Sequence, residues 1–474
     1  MAVREELFAH HGGGAPRGAN RVARSSIDHG RFGRMFRHLK PLRLGDDELA
    51  AYAESMVPHT APPVSAAGAA LEPGENPDLP SGYTYLGQFV DHDITFDSAS
   101  SLDRRNDPDA LRSFRTPRLD LDSLYGSGPD DSPFLYDQED RFKLLVGRNS
   151  DEAREPEDLP RNQQGRALIG DPRNDVHVII AQLHLAFLRF HNAVVDHLRT
   201  RFYPEDGLLD EAQRLTRWHY QWVVINDYVR RLVGSEVLDQ VLVADPANGG
   251  RKANLEFFTW KGTPFVPVEF SAAAYRFGHS QVRSRYRLNP TGELLHILLP
   301  DPEANPLEHL GGFRPLPRGW RIQWDLFLSI AGSTPQLSRR IDTNLTGPFA
   351  HLPVTVDRER RPLALLNLMR GRALGLPSGQ AVAAAMGTQI PDEQLHLTGE
   401  TPLWYYLLRE AEVQTEGRRL GPTSARIVAE VLIGFLHGDP TSFLRQAPAW
   451  VPELPAEEPG RFTMADVLRF AGVA

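Results

Sequence analysis

The apolar residues of two long segments, 179–198 and 208–233, recur at the spacing of an α-helix. Residues three and four positions apart share one face of a helix, so each segment would turn a continuous apolar stripe towards a core. Clean alternation of apolar and polar residues, which is typical of a half-buried strand, is rare in this chain. The sequence therefore predicts a mainly α-helical fold. The apolar positions are Ile180, Leu183, Phe187, Phe190, Val194 and Val195 in the first segment and Leu215, Trp218, Trp222, Ile225 and Val229 in the second.

Two further helices are predicted from their boundary signals. Residues 424–436 follow Pro422 and precede Gly438, the usual asymmetry of helix starts and stops. Thr463 and Asp466 have the spacing of a capping box, which predicts a last short helix through Phe470.

Residues 1–35 are rich in Gly, Arg and His and lack an apolar period, which predicts a flexible N-terminal arm. The chain has 474 residues and 41% hydrophobic content, enough to bury a large core. Long passages rich in Pro, Gly and Asp interrupt the helical segments. We predict a single large helical domain over residues 36–474, with long irregular loops and little β structure.

Composition excludes several classes of site. The chain has no cysteine, so disulfides, iron–sulfur clusters and thiolate ligation of a metal are excluded. Its net charge of −9 and the lack of a basic block argue against nucleic acid as a partner. No signal-like stretch and no run of about 18 apolar residues was found, so we predict a cytoplasmic protein without a membrane span. A protein that is exported without a leader sequence would lack the same segments, so this route stays an alternative.

Residues 87–94 read GQFVDHDI and contain the most informative cluster of polar residues. On a helix, the side chains of Asp91, His92 and Asp93 would point about 100° apart, so they must serve different sites. A histidine with a pKa near ~6.5 can take up and return a proton at neutral pH. A hydrogen-bonded core histidine is the alternative interpretation of His92.

This segment resembles the distal-haem motif of the animal-type haem peroxidases, which belong to the peroxidase–cyclooxygenase superfamily. Within that family, the chain resembles a bacterial-type member. The resemblance implies that His92 is the distal base and that Gln88 lines the pocket for peroxide and halide. It further implies that Asp91 faces a haem methyl group, where relatives form an ester bond, and that Asp93 turns away as a calcium ligand.

Residues 170–175 read GDPRND, and Arg173 occupies the position of the family's catalytic arginine. A fixed cation there would stabilise charge on the departing oxygen, an effect that commonly contributes ~10²–10³ in rate. An ordinary loop salt bridge is the alternative. Some mammalian relatives carry a second ester-forming Glu and one a sulfonium-forming Met after this arginine, where the present chain has Val176 and His177. The resemblance thus implies haem b with at most one covalent link, through Asp91.

Residues 276–280 read RFGHS and resemble the family's proximal motif, which implies that His279 is the axial iron ligand. An iron-bound imidazole needs an acceptor for its other N–H group, and Asn367 matches the asparagine that plays this part in the family. A helix-capping asparagine is the alternative. Arg276 and Arg370 suit the haem propionates by charge, although surface ion pairs would explain them as well.

Residues 116–123 read TPRLDLDS and place oxygen donors at alternate positions. Calcium accepts about six to eight oxygen ligands, which such a loop can provide. By resemblance, Thr116, the Arg118 carbonyl group, Asp120 and Asp122 join Asp93 in a calcium site. A solvated acidic loop is the alternative.

We therefore predict a haem peroxidase that uses hydrogen peroxide to oxidise halide, thiocyanate or aromatic donors through a ferryl intermediate. A fatty-acid dioxygenase or cyclooxygenase-like enzyme of the same superfamily is the nearest alternative. The radical tyrosine of cyclooxygenases lies three residues before the proximal histidine, where this chain has Arg276, and Tyr275 is one place out of register. A non-catalytic haem- and calcium-binding module is an alternative of another class, but it would not require both His92 and Arg173. A hydrolase using Asp91 and Asp93 is disfavoured by their separation on a helix.

Overall fold

The computed structural model describes residues 30–57, 74–96, 111–113, 115–147, 158–301, 303, 305–353, 359 and 361–474. Of these described residues, 44% are helical and 10% lie in strands, which confirms the predicted mainly α-helical fold.

Fifteen α-helices occur in the described residues. They are α1 (Asp46–Ser55), α2 (Gly82–Ile94), α3 (Asp122–Tyr125), α4 (Val178–Thr200), α5 (Leu208–Val223), α6 (Arg230–Val241), α7 (Val268–Ser271), α8 (Gly278–Gln281), α9 (Leu363–Ala373), α10 (Gly379–Met386), α11 (Asp392–Leu395), α12 (Leu403–Thr415), α13 (Pro422–Gly438), α14 (Phe443–Gln446) and α15 (Met464–Phe470). Short 3₁₀ segments cover Pro133–Leu135, Pro172–Asp175, Ala274–Phe277, Trp324–Leu326 and Gly347–Ala350.

The strands are short and form one three-stranded and three two-stranded sheets in this part of the chain. They are β1 (Gly30–Gly33), β2 (Glu75–Pro80), β3 (Arg112–Ser113), β4 (Leu242–Asp245), β5 (Gly250–Ala253), β6 (Val266–Pro267), β7 (Arg285–Arg287), β8 (Leu294–His296) and β9 (Leu337–Arg339). β1 pairs antiparallel with β3 and parallel with β6, and β2–β9, β4–β5 and β7–β8 are antiparallel pairs.

The predicted helix over residues 179–198 is α4, and its apolar stripe is buried. The predicted helix over residues 208–233 is instead divided, because a π-helical turn, Val224–Val229, follows α5 and α6 begins only after it. Gly234, at φ 81° and ψ 157°, then interrupts α6. Apolar periodicity continues through a π turn, so spacing alone does not reveal it.

The two helices predicted from boundary signals are also present. Residues 424–436 lie within α13, which has Pro422 at its first turn. Thr463 and Asp466 form the predicted capping box of α15.

The core is built around α2, which packs against α4, α8 and the π turn. Every residue of α2 is buried except Gln88 and Asp91, which are partly exposed. Since these two are three positions apart, they lie on one face of the helix. This face is the only part of α2 that is open.

The predicted flexible arm, residues 1–35, overlaps β1. Residues 1–29 lie outside the described residues, whereas Gly30–Gly33 pair on both edges with other strands and Phe32 is buried. The arm therefore cannot extend as far as residue 35, because β1 and Phe32 belong to the packed domain. The starting point of the domain otherwise stays a prediction.

One described helix, α4, is long and apolar enough to cross a membrane by length and composition alone. Since 83% of its most apolar window is buried inside the protein, the same observation fits a core helix.

Gly87 permits the close approach of α2 to the π turn. A Cβ atom at this position would overlap the Tyr228 hydroxyl group. We expect Gly87→Ala to destabilise the fold by about 1–3 kcal/mol, the usual cost of overpacking, and to lower the midpoint of thermal unfolding.

Gly347→Ala is the matched control, because its Cβ would meet open space. Tyr228→Phe should restore part of the stability of Gly87→Ala by removing the overlapping oxygen. An unchanged midpoint for Gly87→Ala would contradict this account of the packing.

Candidate active site

Three adjacent residues of α2 point into three different environments. Asp91 lies on the open face with Gln88. His92 contacts the 3₁₀ segment Pro172–Asp175, and Asp93 joins the carboxylates of Asp120, just before α3, and Asp122, its first residue. Helix geometry thus separates the three side chains, as their spacing requires.

The His92 ring is held in a defined tautomer. Its Nδ1 lies 2.8 Å from Oδ1 of Asn174, which only accepts, so Nδ1 carries the proton and Nε2 keeps its lone pair. The Asn174 amide is oriented in turn by a 3.0 Å contact between its Nδ2 and Nδ1 of His184. Burial, and then the charge of Arg173, lowers the pKa of His92 to about 4. The imidazole is therefore neutral at pH 7, with Nε2 available as a base.

Arg173 is fixed beside His92. Its Nη2 donates to the His92 carbonyl oxygen at 2.8 Å, and its Nε and Nη2 donate to the carboxylate of Asp171. The guanidinium also lies 4.5 Å from the centre of the Phe96 ring. The loop salt bridge that was the alternative interpretation of Arg173 is present, and its partner is Asp171. This salt bridge holds the guanidinium group next to His92.

Asp171 connects Arg173 to a second arginine. Arg115 donates to the Asp171 carboxylate through Nε at 3.1 Å and Nη2 at 2.8 Å, while its Nη1 donates to Asp122 at 2.8 Å. Burial alone would raise the pKa of Asp171, but the guanidinium groups of Arg173 and Arg115 hold that pKa well below its usual value. Asp171 is therefore ionised, and it links the surroundings of His92 to the loop that contains Asp122.

Asp93, Asp120 and Asp122 bring carboxylate oxygens within 4.8 Å of one another. Both oxygens of Asp93 are buried, and no described group donates to them with normal hydrogen-bond geometry, although the Tyr220 hydroxyl group is close enough to lower the pKa of Asp93. Burial, and then the charges of Asp120 and Asp122, raises the pKa of Asp93 well above its usual value. Burial and Asp120 likewise raise the pKa of Asp122 to about 7. Asp122 is paired with Arg115 and Asp120 with Arg118, but Asp93 has no ion pair with a described residue, and a buried carboxylate of this kind is suited chemically to a hard divalent cation.

Two further residues of the predicted site lie at this cluster. The Thr116 hydroxyl group donates to Asp120 at 2.9 Å, and Nε of Arg118 lies 3.2 Å from the same carboxylate. The contact of Arg118 is made by its guanidinium group, whereas the predicted calcium ligand is its carbonyl group. The structure therefore brings the five residues together from α2, from the start of α3 and from the segment before it.

His279 lies in α8 and contacts Asn367 of α9. The distance between Nδ1 of His279 and Nδ2 of Asn367 is 2.9 Å. Asn367 is buried in the middle of α9, so the helix-cap alternative is not what the structure shows. Burial, and then Arg276, lowers the pKa of His279 to about 3, so the ring is neutral at pH 7.

An amide turned by 180° would present Oδ1 of Asn367 to the histidine as an acceptor, which an iron-bound imidazole requires. Arg276 lies at the other end of this amide, with Nη1 3.5 Å from Oδ1 of Asn367, and its Nε donates to the Ser271 carbonyl group. Arg370 follows Asn367 on α9 and is partly exposed. Because α2 packs against α8, the groups around His92 and those around His279 lie on adjoining segments.

Sequence reasoning missed the part played by His177, which it noted only as a departure from relatives. Nε2 of His177 lies 2.8 Å from Oε1 of Gln88, and its ring meets that of Tyr85 edge to face at 5.2 Å. The sequence feature that could have drawn attention to His177 is its position immediately before α4, because histidine is not a common residue at a helix cap.

The chain is similar in sequence to known peroxidases. The family model of the animal haem peroxidases matches residues 100–403, which include Arg173, His279 and Asn367 but begin after α2. The chain is 24% identical to the chorion peroxidase of Drosophila melanogaster over 77% of the chain and 43% of the relative. It is 26% identical to the thyroid peroxidase of Mus musculus, over 60% of the chain and 31% of that relative. The chain thus spans less than half of these relatives.

Solved structures show the same fold. Peroxidase A of Dictyostelium discoideum superimposes with a TM-score of 0.62 at 15% identity, covering 93% of both chains. The fatty acid alpha-dioxygenase of Oryza sativa superimposes with a TM-score of 0.56 at 17% identity, covering 91% of this chain and 78% of the other. On the family match, which extends over more than half of its length, the chain belongs to the animal haem peroxidases, within the peroxidase–cyclooxygenase superfamily.

Proposed function

We propose that the chain is a haem-dependent peroxidase that uses hydrogen peroxide to oxidise halide, thiocyanate or aromatic donors. The observation that carries this proposal is the neutral, buried His92 with the guanidinium of Arg173 held beside it. The haem of the family would supply the iron and the redox chemistry. The residues of this chain would bind it, handle the protons and stabilise developing charge.

His92 acts as the proton carrier. Because its Nδ1 proton is committed to Asn174, Nε2 takes the proton from one peroxide oxygen and returns it to the departing oxygen. Arg173 stabilises the negative charge that develops on the departing oxygen. Gln88 lies on the open face of α2 one turn before His92 and lines the same space.

His279 is the proposed iron ligand, and Asn367 fixes the orientation of its ring. The pairing of a partly buried imidazole with a buried amide supports this role, since the amide, turned by 180°, would accept from the ring N–H group that is not used for the metal. Arg276 and Arg370 are the proposed partners of the haem propionates.

Asp91 is the proposed site of a single ester link to haem b. Its carboxylate lies on the open face of α2 and accepts a 3.1 Å hydrogen bond from the Thr95 hydroxyl group. Val176 stands where some relatives carry a second ester-forming glutamate, so one covalent link is the maximum.

Calcium is the proposed occupant of the cluster formed by Asp93, Asp120 and Asp122, with Thr116 and the Arg118 carbonyl group as further ligands. The uncompensated carboxylates of Asp93 and the raised pKa of Asp122 support a cation there. Since Asp93 follows His92 directly, the ion would fix this end of α2.

A fatty-acid oxygenase is the second candidate, because alpha-dioxygenases share the fold. Arg276 occupies the position three residues before His279, and the hydroxyl group of Tyr275 lies 3.4 Å from that of Tyr228. Tyr275 is thus directed towards the π turn. Oxygen uptake with palmitic acid in the absence of peroxide would identify this activity.

The first test is the absorption spectrum of the haem-loaded protein with and without peroxide. We expect His92→Ala to keep its haem but to react with peroxide about 10²–10⁴-fold more slowly, the usual contribution of a general acid–base group. His279→Ala should lose haem. His197→Ala, at the end of α4, is the control for loss of an imidazole elsewhere.

Equal peroxide reactivity in His92→Ala, or full haem content in His279→Ala, would overturn the proposed roles. Acid–acetone extraction of the same samples tests the ester, because haem linked through Asp91 should stay with the polypeptide and be released from Asp91→Ala.

The pH dependence of the peroxide reaction reports the protonation of His92. Since the pKa of His92 is lowered to about 4, the second-order rate constant should fall as the pH is lowered, because His92 becomes protonated. The midpoint of this fall should lie near pH 4 rather than near ~6.5. Arg173→Ala should move the midpoint to higher pH, because its positive charge contributes to the lowering. A midpoint near ~6.5 in the parent protein, unmoved in Arg173→Ala, would contradict the assignment.

Calcium removal should destabilise the protein in a pH-dependent way. Without the ion, folding raises the pKa of Asp93 and Asp122 above the ~3.9 of an unfolded chain, so the folded state binds more protons. The free energy of unfolding of the calcium-free protein should therefore fall as pH rises from about 4 to about 7.

Added calcium should raise the unfolding midpoint more at about pH 7.5 than at about pH 4.5, and Asp122→Asn should reduce this difference. Magnesium, which prefers a smaller and more hydrated site, is the control ion. Equal midpoints in calcium and in chelator at about pH 7.5 would contradict the calcium assignment.

A further inference from the structure

We propose that His177 is a positioning residue that fixes the orientation of the Gln88 amide, so that its NH₂ group faces the open side of α2 as a donor to small anions. This inference rests on the proposed function and specifies how its donor pocket is prepared. The motif over residues 87–94 predicts neither the contact between Gln88 and His177 nor the orientation of the amide.

The tautomer of His177 is set by α4. His177 is the residue before this helix, and its Nδ1 accepts a 3.2 Å hydrogen bond from the backbone N–H group of Ile180. A backbone N–H group can only donate, so Nδ1 carries the lone pair and Nε2 carries the proton. Burial, and then the neighbouring His92, lowers the pKa of His177 to about 3, which keeps the ring neutral at pH 7.

The protonated Nε2 then determines how Gln88 is turned. It lies 2.8 Å from Oε1 of Gln88, and this contact requires an acceptor on the glutamine side. Because the amide is planar and has one oxygen, its NH₂ group must point away from His177. Gln88 is partly exposed on the face of α2 that it shares with Asp91, so an NH₂ group turned away from His177 can reach that open face.

The orientation decides which ligands are favoured. An NH₂ group on the open face of α2, one turn before the neutral His92, attracts an anion, whereas a reversed amide would present an oxygen and repel it. Hydrogen bonds to charged groups are stronger than those between neutral groups, so the effect on anion affinity should be large enough to measure.

A double-mutant cycle tests the inference. Sodium bromide is titrated into the ferric haem protein at constant ionic strength, and binding is followed by the Soret absorption. His177→Leu should weaken bromide binding about tenfold in the parent protein, the loss of one charge-assisted hydrogen bond. It should have no further effect in Gln88→Leu, where no amide remains to be oriented.

His177→Gln should retain the parent affinity, because its amide can still donate to Oε1 of Gln88. His177→Glu offers acceptors only and should reverse the amide. The added negative charge of His177→Glu would weaken bromide binding both in the parent protein and in Gln88→Leu. The part of the loss of affinity that is seen only when Gln88 is present therefore measures the reversal of its amide. If His177→Leu does not fold, the bromide affinities of His177→Gln and His177→Glu still test the inference.

Unchanged bromide affinity in His177→Leu would overturn the inference, as would an equal loss with and without Gln88, which indicates only a structural role. The titration is made without peroxide, so loss of peroxide reactivity would overturn the proposed function while leaving this result intact. A protein that takes up no haem would overturn both.

Discussion

The carboxylate of Asp171 is the point on which the arrangement around His92 depends. It is fully buried and receives hydrogen bonds from two guanidinium groups, those of Arg115 and Arg173. A buried charge is tolerated only when it is paired, and removal of one partner of such a group typically costs about 3–5 kcal/mol. Through Asp171, the cation beside His92 and the loop that carries Asp122 belong to one ionic network.

The short stretch from Asp171 to His177 complements α2 residue by residue. Arg173 donates to the carbonyl group of His92, Asn174 fixes the tautomer of the same ring, and His177 contacts Gln88. In the proposed enzyme, α2 therefore supplies groups that meet peroxide and its reducing partner, while this stretch sets their protonation and orientation. Because these groups are already fixed, they can stabilise the charge that develops in the transition state without having to reorient.

Single residues of the candidate site could be proposed from the sequence, whereas their contacts could not. His92, Asp93, His279 and Asn367 could be proposed because each lies in a short motif whose residue types match a known pattern. The bridge through Arg115 and Asp171 joins side chains 56 positions apart, and the contact of Gln88 with His177 spans 89. Such pairs depend on how segments that are distant in the sequence pack together. The π turn was missed for a related reason, because widening a helix by one residue leaves its apolar stripe continuous.

A crystal structure of the haem-loaded protein tests the central claim most directly, which is that α2 and α8 hold one haem between them. The account predicts a single macrocycle with its iron bound by His279, with His92 and Arg173 on the opposite face. Iron bound by another residue, or His92 and His279 on the same side of the ring, would contradict it.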